Sequence, residues 1–332
     1  MSQSLPNAFY NACVRAAHHA PGEAEDTVPF EPRFWGARAW RSPYTFLTAP
    51  RLFGIGTQGA WEEALSPSAT PPGLLRFELL PADAPSFAPF AAACAALGLA
   101  TAPVRRFDRP MLDATMTPDA WRALLSRQRR KALRKARAGL EAEGTLAVHR
   151  HTSEAGIAGA FLDFLALERA GWKGRRGTAL DQIPEHRLAF GAALNGLAAR
   201  RACEIHTLTL DDKPLAAGVV LLDPPHAFYV KIAYDEDYAR FSPGVLLSEA
   251  LTESYLAHPR ITLLDSCASE GNAMIEWLWP QRRPIVDMVV ASRPGIPATA
   301  VEAGALAFRT HHAAREAAKT VLPKTVLTRL RA

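Results

Sequence analysis

The sequence R-F-S-P-G-V beginning at Arg240 places a cation and a glycine at the predicted start of a leucine-rich helix. Ser242 is a favoured N-cap residue, and Pro243 suits the first helical position because its missing N–H would have no partner there. Free N–H groups at a helix start carry partial positive charge, so Arg240, Ser242, Gly244 and Val245 predict an anion site. The alternative is an ordinary capped helix.

The position of this helix favours the anion site. It follows the strand predicted at 227–234 and precedes the strand predicted at 260–266. In a βαβ unit the helix begins at the carboxyl ends of the strands, where ligands of α/β folds bind.

Lys231 is the one charged residue of the strand predicted at 227–234. Strand alternation predicts that Tyr229, Lys231 and Ala233 share one face. A lysine within a sheet must reach water, an anion or a carboxylate, and Asp265 at the end of the next strand is the expected partner. A structural ion pair is an equal alternative.

A second group of polar residues lies at the end of a predicted helix and in the loop behind it. Glu168 and Trp172 are four residues apart and are expected on one helix face. Lys173, Arg175 and Arg176 add three cations without an acid between them, which favours an anionic ligand beside an indole ring. The alternative is a core tryptophan with a lysine whose ammonium group reaches the surface.

The segment RQRRKALRKAR, from Arg127 to Arg137, contains seven basic residues and no acid. Such a segment can meet phosphate, anionic lipid or an acidic substrate, but it can equally be a solvated helix face. Further basic residues mark the C-terminal segment, namely Arg309, Arg315, Lys319, Lys324, Arg329 and Arg331.

Composition bounds the protein class. The chain has 332 residues, 48% hydrophobic and 21% charged, with a net charge of +5, which predicts a globular protein of two domains. The scattered cysteines 13, 94, 203 and 267 show no CxxC pair, so no disulfide framework, metal site or cysteine nucleophile is expected. Without a transmembrane stretch or a signal layout, a cytoplasmic location is expected. The GxGxxG match at 54–59 lacks the strand and helix of a dinucleotide site and is interpreted as a turn.

Periodicity predicts a mixed α/β fold. The order in the second half is α-α-β-β-β-α-β-α-β, which gives a sheet that is antiparallel first and parallel later. Strands are predicted at 74–80, 103–114, 145–151, 203–210, 214–222, 227–234, 260–266 and 284–292. Helices are predicted at 85–100, 118–144, 153–172, 185–200, 242–256, 272–279 and from 298 onward.

The segment after the strand at 227–234 resembles the phosphate-binding turn of the GNAT acyl-CoA N-acyltransferase superfamily. Arg240 and Gly244 match its basic residue and its glycine, whereas Leu246 stands where a second small residue is usual. The resemblance implies that this turn binds the pyrophosphate of coenzyme A. It also implies that a bulge within Tyr229–Tyr234 offers an N–H to the reacting carbonyl.

Three longer blocks resemble the CelD-type branch of that superfamily, which is related to the Fem-type peptidoglycan-bridge transferases. They are LSRQRRKALRKARAGLEAEG (125–144), LERAGWKGRRGTAL (167–180) and YVKIAYDEDYARFSPGVLL (229–247), with EWLWPQRRPI (276–285) closing the match. This resemblance implies two GNAT-like domains in tandem. The expected segments are a degenerate domain at 1–115, a basic connecting helix at 116–144, an acyltransferase domain at 145–297 and a helical tail at 298–332.

Together these features predict an N-acyltransferase that uses acetyl-CoA or another acyl-CoA and no metal. Glu168 and Asp265 are the candidate bases, and Lys231 is a further catalytic candidate. Trp172, Lys173, Arg175, Arg176 and Tyr229 are expected to bind an anionic small molecule or saccharide lying between the domains. The alternatives are a Fem-like transferase that uses aminoacyl-tRNA, and a non-catalytic protein that binds an anionic polymer or membrane surface. No DNA partner is expected.

Overall fold

In the computed structural model of the protein, residues 30–33, 36–39, 57–269 and 271–321 are described. They divide into two compact units. Among the described residues, the first unit holds 108–283, and the second unit holds those before 108 and after 283. The predicted domain limits at residues 115, 144 and 297 remain a prediction.

Ten helices and ten strands are found among the described residues, apart from short 3-10 turns at Leu180–Gln182 and Glu236–Phe241. The strands are β1 (Phe30–Arg33), β2 (Gly36–Ala39), β3 (Leu74–Pro81), β4 (Thr101–Asp113), β5 (Leu146–His151), β6 (Cys203–Leu210), β7 (Lys213–Asp223), β8 (His226–Tyr234), β9 (Leu263–Asp265) and β10 (Gln281–Ala291). The helices are α1 (Gln58–Ala64), α2 (Phe87–Ala96), α3 (Pro118–Leu124), α4 (Arg127–Glu141), α5 (Glu154–Ala170), α6 (Trp172–Arg175), α7 (Pro184–Ala198), α8 (Pro243–Tyr255), α9 (Ala273–Leu278) and α10 (Ala298–Val321).

The sheet of the first unit has the order β4–β9–β8–β7–β6–β5. Strands β5 to β8 pair antiparallel in sequence. Strand β9 pairs parallel to β8, after the crossover through α8, and the end of β4 pairs antiparallel with β9. The predicted mixed sheet, antiparallel first and parallel later, is therefore confirmed.

Helices cover both faces of this sheet. Helices α3, α4, α8 and α9 share one core with the strands, centred on large buried side chains that include Trp121, Leu133, Leu140, Leu247 and Trp279. Helices α5 and α7 pack against each other on the other face, where the ring of Phe161 lies 6.3 Å from that of Phe164 and 5.9 Å from that of Phe190.

In the second unit the strand order is β1–β2–β3–β10–β4. Strands β2 and β3 pair parallel, whereas β3 and β10 pair antiparallel. Its core combines Trp61, Phe77 and Phe90 with Val286 and Val290. The predicted α/β class with mixed sheets is thus confirmed. Residues 54–56 lie outside the described residues, so the interpretation of 54–59 as a glycine-rich turn stays a prediction.

One predicted helix is two. The sequence predicts one helix from 118 to 144, but the backbone is extended at Leu125, with ψ 131°. Ser126 then caps a new helix, because its hydroxyl accepts from the Arg129 N–H at 3.2 Å. Leu125 is buried, and the Arg130 guanidinium donates to its carbonyl at 2.6 Å. Burial of Leu125 and satisfaction of this carbonyl stabilise the break, which helical periodicity alone does not reveal.

Candidate active site

A β-bulge lies in the middle of strand β8. Val219 pairs with Lys231 and Val220 pairs with Tyr229, so Val230 is an extra residue without a partner of its own in the ladder. A bulge bends a strand and shifts the alternation of its side chains. The region expected to contain a bulge, Tyr229–Tyr234, therefore contains one.

The bulge separates two residues that were expected on one face. The Tyr229 hydroxyl meets the Ser248 hydroxyl of α8 at 3.2 Å, while Lys231 lies against Phe164 and Phe190 on the opposite side of the sheet. Gly218 leaves room for the Tyr229 ring, because a Cβ there would lie 2.8 Å from that ring. Tyr229 is therefore a core residue beneath α8, and the prediction that it shares a face with Lys231 is wrong.

Lys231 pairs with Glu168 and not with Asp265. The Lys231 ammonium donates to Glu168 Oε1 at 3.0 Å, and Lys173 donates to the same oxygen at 2.7 Å. The other oxygen, Oε2, accepts from the Leu180 N–H at 2.7 Å. The structure thus brings two predicted site lysines, Lys173 and Lys231, to the buried carboxylate of a third predicted residue, Glu168.

The charges of this cluster act on one another through a poorly solvated environment. Burial alone would raise the pKa of the Glu168 carboxyl, but Lys231, Lys173 and the Leu180 N–H outweigh it and lower that pKa. Burial and then the nearby Lys173 lower the pKa of Lys231 to about 8, against the attraction of Glu168. Glu168 is therefore ionised near neutral pH, and Lys231 is the group of the pair that can exchange a proton there.

Asp265, the other candidate base, is fully buried in a different cluster. Its two oxygens accept from Arg109 at 3.4 Å and from Arg283 at 3.0 Å, and Oδ1 also accepts from the Cys267 N–H at 2.7 Å. Burial would raise the pKa of Asp265, but the two guanidinium groups outweigh this and lower it. Burial, reinforced by Asp265, raises the pKa of the Cys267 thiol, which agrees with its exclusion as a nucleophile.

The predicted anion site begins with an unusual backbone. Ser242 has φ 51° and ψ 55°, and its side chain makes no capping hydrogen bond, so the predicted side-chain cap is wrong. Its carbonyl instead accepts from the Val245 and Leu246 N–H groups at 2.9 and 3.1 Å. The Ser242 side chain is exposed, so the turn is open to solvent.

Gly244 and Arg240 have neighbours that sequence spacing did not indicate. A Cβ on Gly244 would lie 3.2 Å from the Tyr234 ring and 3.4 Å from Ile232, so the space left by this glycine is occupied by β8. The exposed guanidinium of Arg240 donates to Glu143 at 2.5 Å. Gly244 therefore serves the packing of α8 on β8.

Trp172 does not share a helix face with Glu168. Helix α5 ends at Ala170, Gly171 is extended, and Trp172 begins the short helix α6. Helix α6 packs closely on the end of α5, because a Cβ at Gly174 would lie only 1.7 Å from the Arg169 carbonyl oxygen. The indole is 44% exposed, and the Arg176 guanidinium lies 4.7 Å from its centre.

Glu236 is a site residue that the sequence analysis missed. It lies two residues beyond β8, where its Oε1 accepts from the Trp172 N–H at 2.7 Å and its Oε2 from Arg175 at 2.5 Å. Arg175 is thus paired with an acid, which corrects the expected run of three uncompensated cations. The acidic triplet from Asp235 to Asp237 could have indicated this contact, since its negative charge is complementary to the positive charge of the basic loop.

The arrangement joins the 172–180 segment to the carboxyl end of β8. Glu236 accepts from the N–H at the start of this segment, and Glu168 accepts from Lys173 and from the Leu180 N–H. Lys231 lies over the Phe164 and Phe190 rings and also donates to Glu168. An amine placed here would meet a lysine of lowered pKa beside a strand bulge. Among the described residues, no group of His, Cys, Asp and Glu side chains could hold a metal ion, and no helix is long and apolar enough to span a bilayer.

Residues 127–272 match the family model of the acetyltransferase (GNAT) domain. The matched segment contains Glu168, Lys231, Glu236 and the turn at the start of α8. The predicted enzyme class, a GNAT-type acyltransferase, is confirmed by this match. No curated protein matches the chain.

Several solved structures show a distant likeness. One is the C-terminal domain assigned to a lysylphosphatidylglycerol synthetase from Agrobacterium fabrum, with 12% identity, 72% of each chain covered and a TM-score of 0.43. A tandem GNAT protein from the clavulanic acid biosynthesis pathway shows 18% identity, with 82% of this chain and 77% of that chain covered and a TM-score of 0.37. FemX shows 12% identity, with 78% and 82% covered and a TM-score of 0.35.

Proposed function

We propose that the protein, whose residues 127–272 match the GNAT acetyltransferase family model, transfers an acyl group, by preference acetyl, from coenzyme A to an amine. The acceptor is an anionic small molecule or saccharide, and the expected site of action is the cytoplasm. The observation that carries this proposal is the bulge of β8 at Val230, with the Lys231–Glu168–Lys173 cluster directly beside it.

In this reaction the amine must lose a proton before it attacks the thioester. An efficient base has a pKa near the working pH, whereas the carboxyls of Glu168 and Asp265 have lowered pKa values and are already hydrogen-bonded to cations. Lys231, with a pKa of about 8, is the better acceptor of that proton. We therefore assign the base role to Lys231 and a positioning role to Glu168.

The proposed step moves two protons and exchanges one bond. The acceptor ammonium gives one proton to the neutral Lys231 amine, and the resulting amine attacks the acyl carbonyl carbon. A carbon–nitrogen bond forms as the carbon–sulfur bond breaks, and a second proton of the amine goes to the departing thiolate. An N–H from the bulged part of β8 would stabilise the developing oxyanion, because donors fixed beforehand stabilise charge that appears in the transition state.

The donor would lie at the turn before α8. Of the predicted residues, Arg240, Ser242 and Val245 remain the proposed contacts of the pyrophosphate, supported by the exposed left-handed turn at Ser242. Arg240 would first leave Glu143, which is a small barrier because exposed ion pairs contribute only about 0–1 kcal/mol. Gly244 contributes through packing, which keeps α8 close to β8.

The acceptor would lie along the 172–180 segment. The exposed face of Trp172 supplies an apolar wall, and Lys173 and Arg176 supply positive charge. Arg175 would hold the segment in place through Glu236. Within the superfamily we propose the CelD-type branch, on the three sequence blocks that include this segment.

A thermal-shift panel tests the donor. The full chain is melted with acetyl-CoA, with longer acyl-CoAs, with free coenzyme A and with total tRNA, because a ligand that binds only the folded state raises Tm. The expected result is stabilisation by acetyl-CoA in the wild type and in Lys231→Met. Stabilisation by tRNA alone would replace the proposal with an aminoacyl-tRNA-dependent transferase, and stabilisation by none would leave a non-catalytic binding protein.

A second assay tests the reaction itself. Release of the coenzyme A thiol from acetyl-CoA is followed over a panel of amines, with amino sugars and their phosphates against uncharged amines. Faster release with the anionic amines, and its loss in Lys231→Met at unchanged acetyl-CoA affinity, is the expected outcome. Equal release by the variant would remove Lys231 from the mechanism while leaving the acyltransferase proposal intact.

A further inference from the structure

The basic residues of helix α4 divide into two groups by their contacts. Three of them stabilise the fold. The Arg130 guanidinium donates to the carbonyls of Arg122 and Leu125, Arg137 donates to Glu249 at 3.0 Å, and Arg129 lies 5.8 Å from the Trp277 ring. The other four side chains are exposed and have no ion-pair partner among the described residues: Arg127, Lys131, Arg134 and Lys135.

These four residues form one surface, which we call the basic face. At 100° per residue, positions 127, 131, 134 and 135 fall within a sector of about 100°. Leu133 and Leu140 lie on the opposite side of the helix, buried in the core of the first unit. The basic face therefore points directly away from the fold.

The basic face is electrostatically unfavourable in the isolated protein. Lys131 is four residues from both Arg127 and Lys135, and like charges at this spacing destabilise a helix. No acidic residue occurs between Arg127 and Leu140 to compensate them. A partner of negative charge would relieve this repulsion, and nothing in the proposed acyl transfer uses these four residues.

We propose that the basic face docks the protein on an anionic phospholipid bilayer. A cluster of four cations on one helix face suits the negative surface of such a bilayer, which attracts each exposed Lys or Arg. Leu124, 45% exposed, ends the preceding helix three residues before Arg127 and is a further apolar group outside the core. The described residues of α4 include no aromatic side chain on which an unpaired base could stack.

The contact is peripheral and depends on salt. Each cation near the surface strengthens binding by roughly fivefold, and the attraction falls off within a Debye length of about 10 Å at 0.1 M salt. A bilayer contact of this kind would bring the acyltransferase domain close to amine-bearing or anionic headgroups without a membrane span.

Vesicle binding by the full chain tests the proposal. Cosedimentation is measured with vesicles of phosphatidylglycerol and phosphatidylcholine, and with vesicles of phosphatidylcholine alone. The variant carries Lys131→Gln, Arg134→Gln and Lys135→Gln, which keep a good helix former at each position. The control carries Arg106→Gln, Arg201→Gln and Arg260→Gln, three exposed cations outside α4, and lowers the net charge equally.

The expected result is binding of the wild type to the anionic vesicles only, lost in high salt. The α4 variant should bind about 100-fold more weakly, which is three factors of about five, and the control less than about fivefold more weakly. Equal losses in the two variants would show an effect of net charge and overturn the basic face. Equal binding to both vesicle types would overturn the electrostatic contact.

A competition experiment separates the bilayer from nucleic acid. If a short duplex RNA displaces the wild type from vesicles at a lower concentration than soluble phosphatidylglycerol headgroup does, the face would be assigned to nucleic acid instead. Acetyl-CoA stabilisation should be the same in all three proteins, so this proposal and the proposed function fail separately.

Discussion

Glu168 and Asp265 are two buried carboxylates that each accept hydrogen bonds from two cations and from one backbone N–H. Glu168 is held by Lys231, Lys173 and the Leu180 N–H, and Asp265 by Arg283, Arg109 and the Cys267 N–H. Both carboxyl pKa values are lowered. The two clusters differ in the cation and in solvent access.

The cation decides what each cluster can do. A guanidinium stays protonated in proteins and has a fixed fork of donors, whereas a buried ammonium can lose its proton. The Lys231 side chain is 12% exposed and that of Lys173 is 27% exposed. The side chains of Arg109 and Arg283, which contact Asp265, are each only 1% exposed. The Asp265 cluster is therefore structural, and the Glu168 cluster is the one with an exchangeable proton.

The largest expected effect is the loss of the Asp265 charge. Asp265→Asn leaves the guanidiniums of Arg109 and Arg283 buried without the carboxylate that both contact. Removing one partner of a buried ion pair typically destabilises by about 3–5 kcal/mol. Urea unfolding measures this, with the exposed Asp119→Asn as the matched control; a loss no greater than that of the control would mean that water solvates the arginines.

Glu168→Gln should destabilise less, by about 1–3 kcal/mol. The amide oxygen can still accept from the Leu180 N–H, and Lys231 can respond by losing its proton, since Glu168 is what raises the pKa of that lysine. The same unfolding experiment measures it, with the exposed Glu141→Gln as control. A loss as large as that of Asp265→Asn would mean that Lys231 stays charged and that the Glu168 cluster has no exchangeable proton.

The pH dependence of stability should report Lys231 directly. Its pKa is about 8 in the folded protein and about 10.4 in an unfolded chain, so between these values the unfolded chain binds more protons and stability rises with pH. The rise from about pH 8 to about pH 9.5 amounts to about 1.5 kcal/mol. The wild type should show it relative to Lys231→Met.

The groups that face Lys231 are Glu168, Lys173 and His186, and all three are kept in Lys231→Met. Lys213→Met is the matched control, because Lys213 is an exposed lysine whose pKa is raised, chiefly by its hydrogen bond to Asp235. If the wild type and Lys231→Met rise in parallel, the lowered pKa is wrong, and the base role loses its support.

The smallest global effect is expected for Glu236, a carboxylate near the surface that accepts from one cation and one backbone N–H. Glu236→Gln weakens its contact with Arg175, and exposed pairs of this kind contribute little to stability. The urea midpoint should not move measurably, whereas trypsin should cut after Arg175 and Arg176 several times faster. Unchanged cleavage would mean that Gly174 and the Arg169 carbonyl hold α6 without the glutamate.

Local signals in the sequence predicted most elements of the fold. The strands at 203–210, 214–222 and 227–234 are found almost at their predicted limits, because alternation and the two turns between them are properties of adjacent residues. The predicted start of the helix at 118 is also found, since Thr117 accepts from the Ala120 N–H at 3.2 Å as a cap. The break at Leu125 was missed because it depends on burial in the core.

The sequence predicted which residues belong to the candidate site, but it did not predict which of them form ion pairs with each other. Lys231, Glu168 and Lys173 were identified from the types of residue at a strand and a helix end, yet Lys231 was assigned to Asp265. The predicted face of Tyr229 was wrong because one extra residue, Val230, reverses the alternation of a strand. Glu236 was missed because its partners lie 61 and 64 residues away in sequence.

The sequence by itself determined most of the elements, the mixed sheet, the acyltransferase class and the basic segment of α4, because each of these is a pattern of neighbouring residues. Only the tertiary structure decided which lysine meets which carboxylate, since Lys231 and Glu168 are 63 residues apart and Arg109 and Asp265 are 156 apart. It also decided which cations of α4 face solvent, because that depends on the side of the helix that Leu133 and Leu140 bury. A charge acquires its pKa from burial and from contacts across the fold, and these exist only once distant segments have come together.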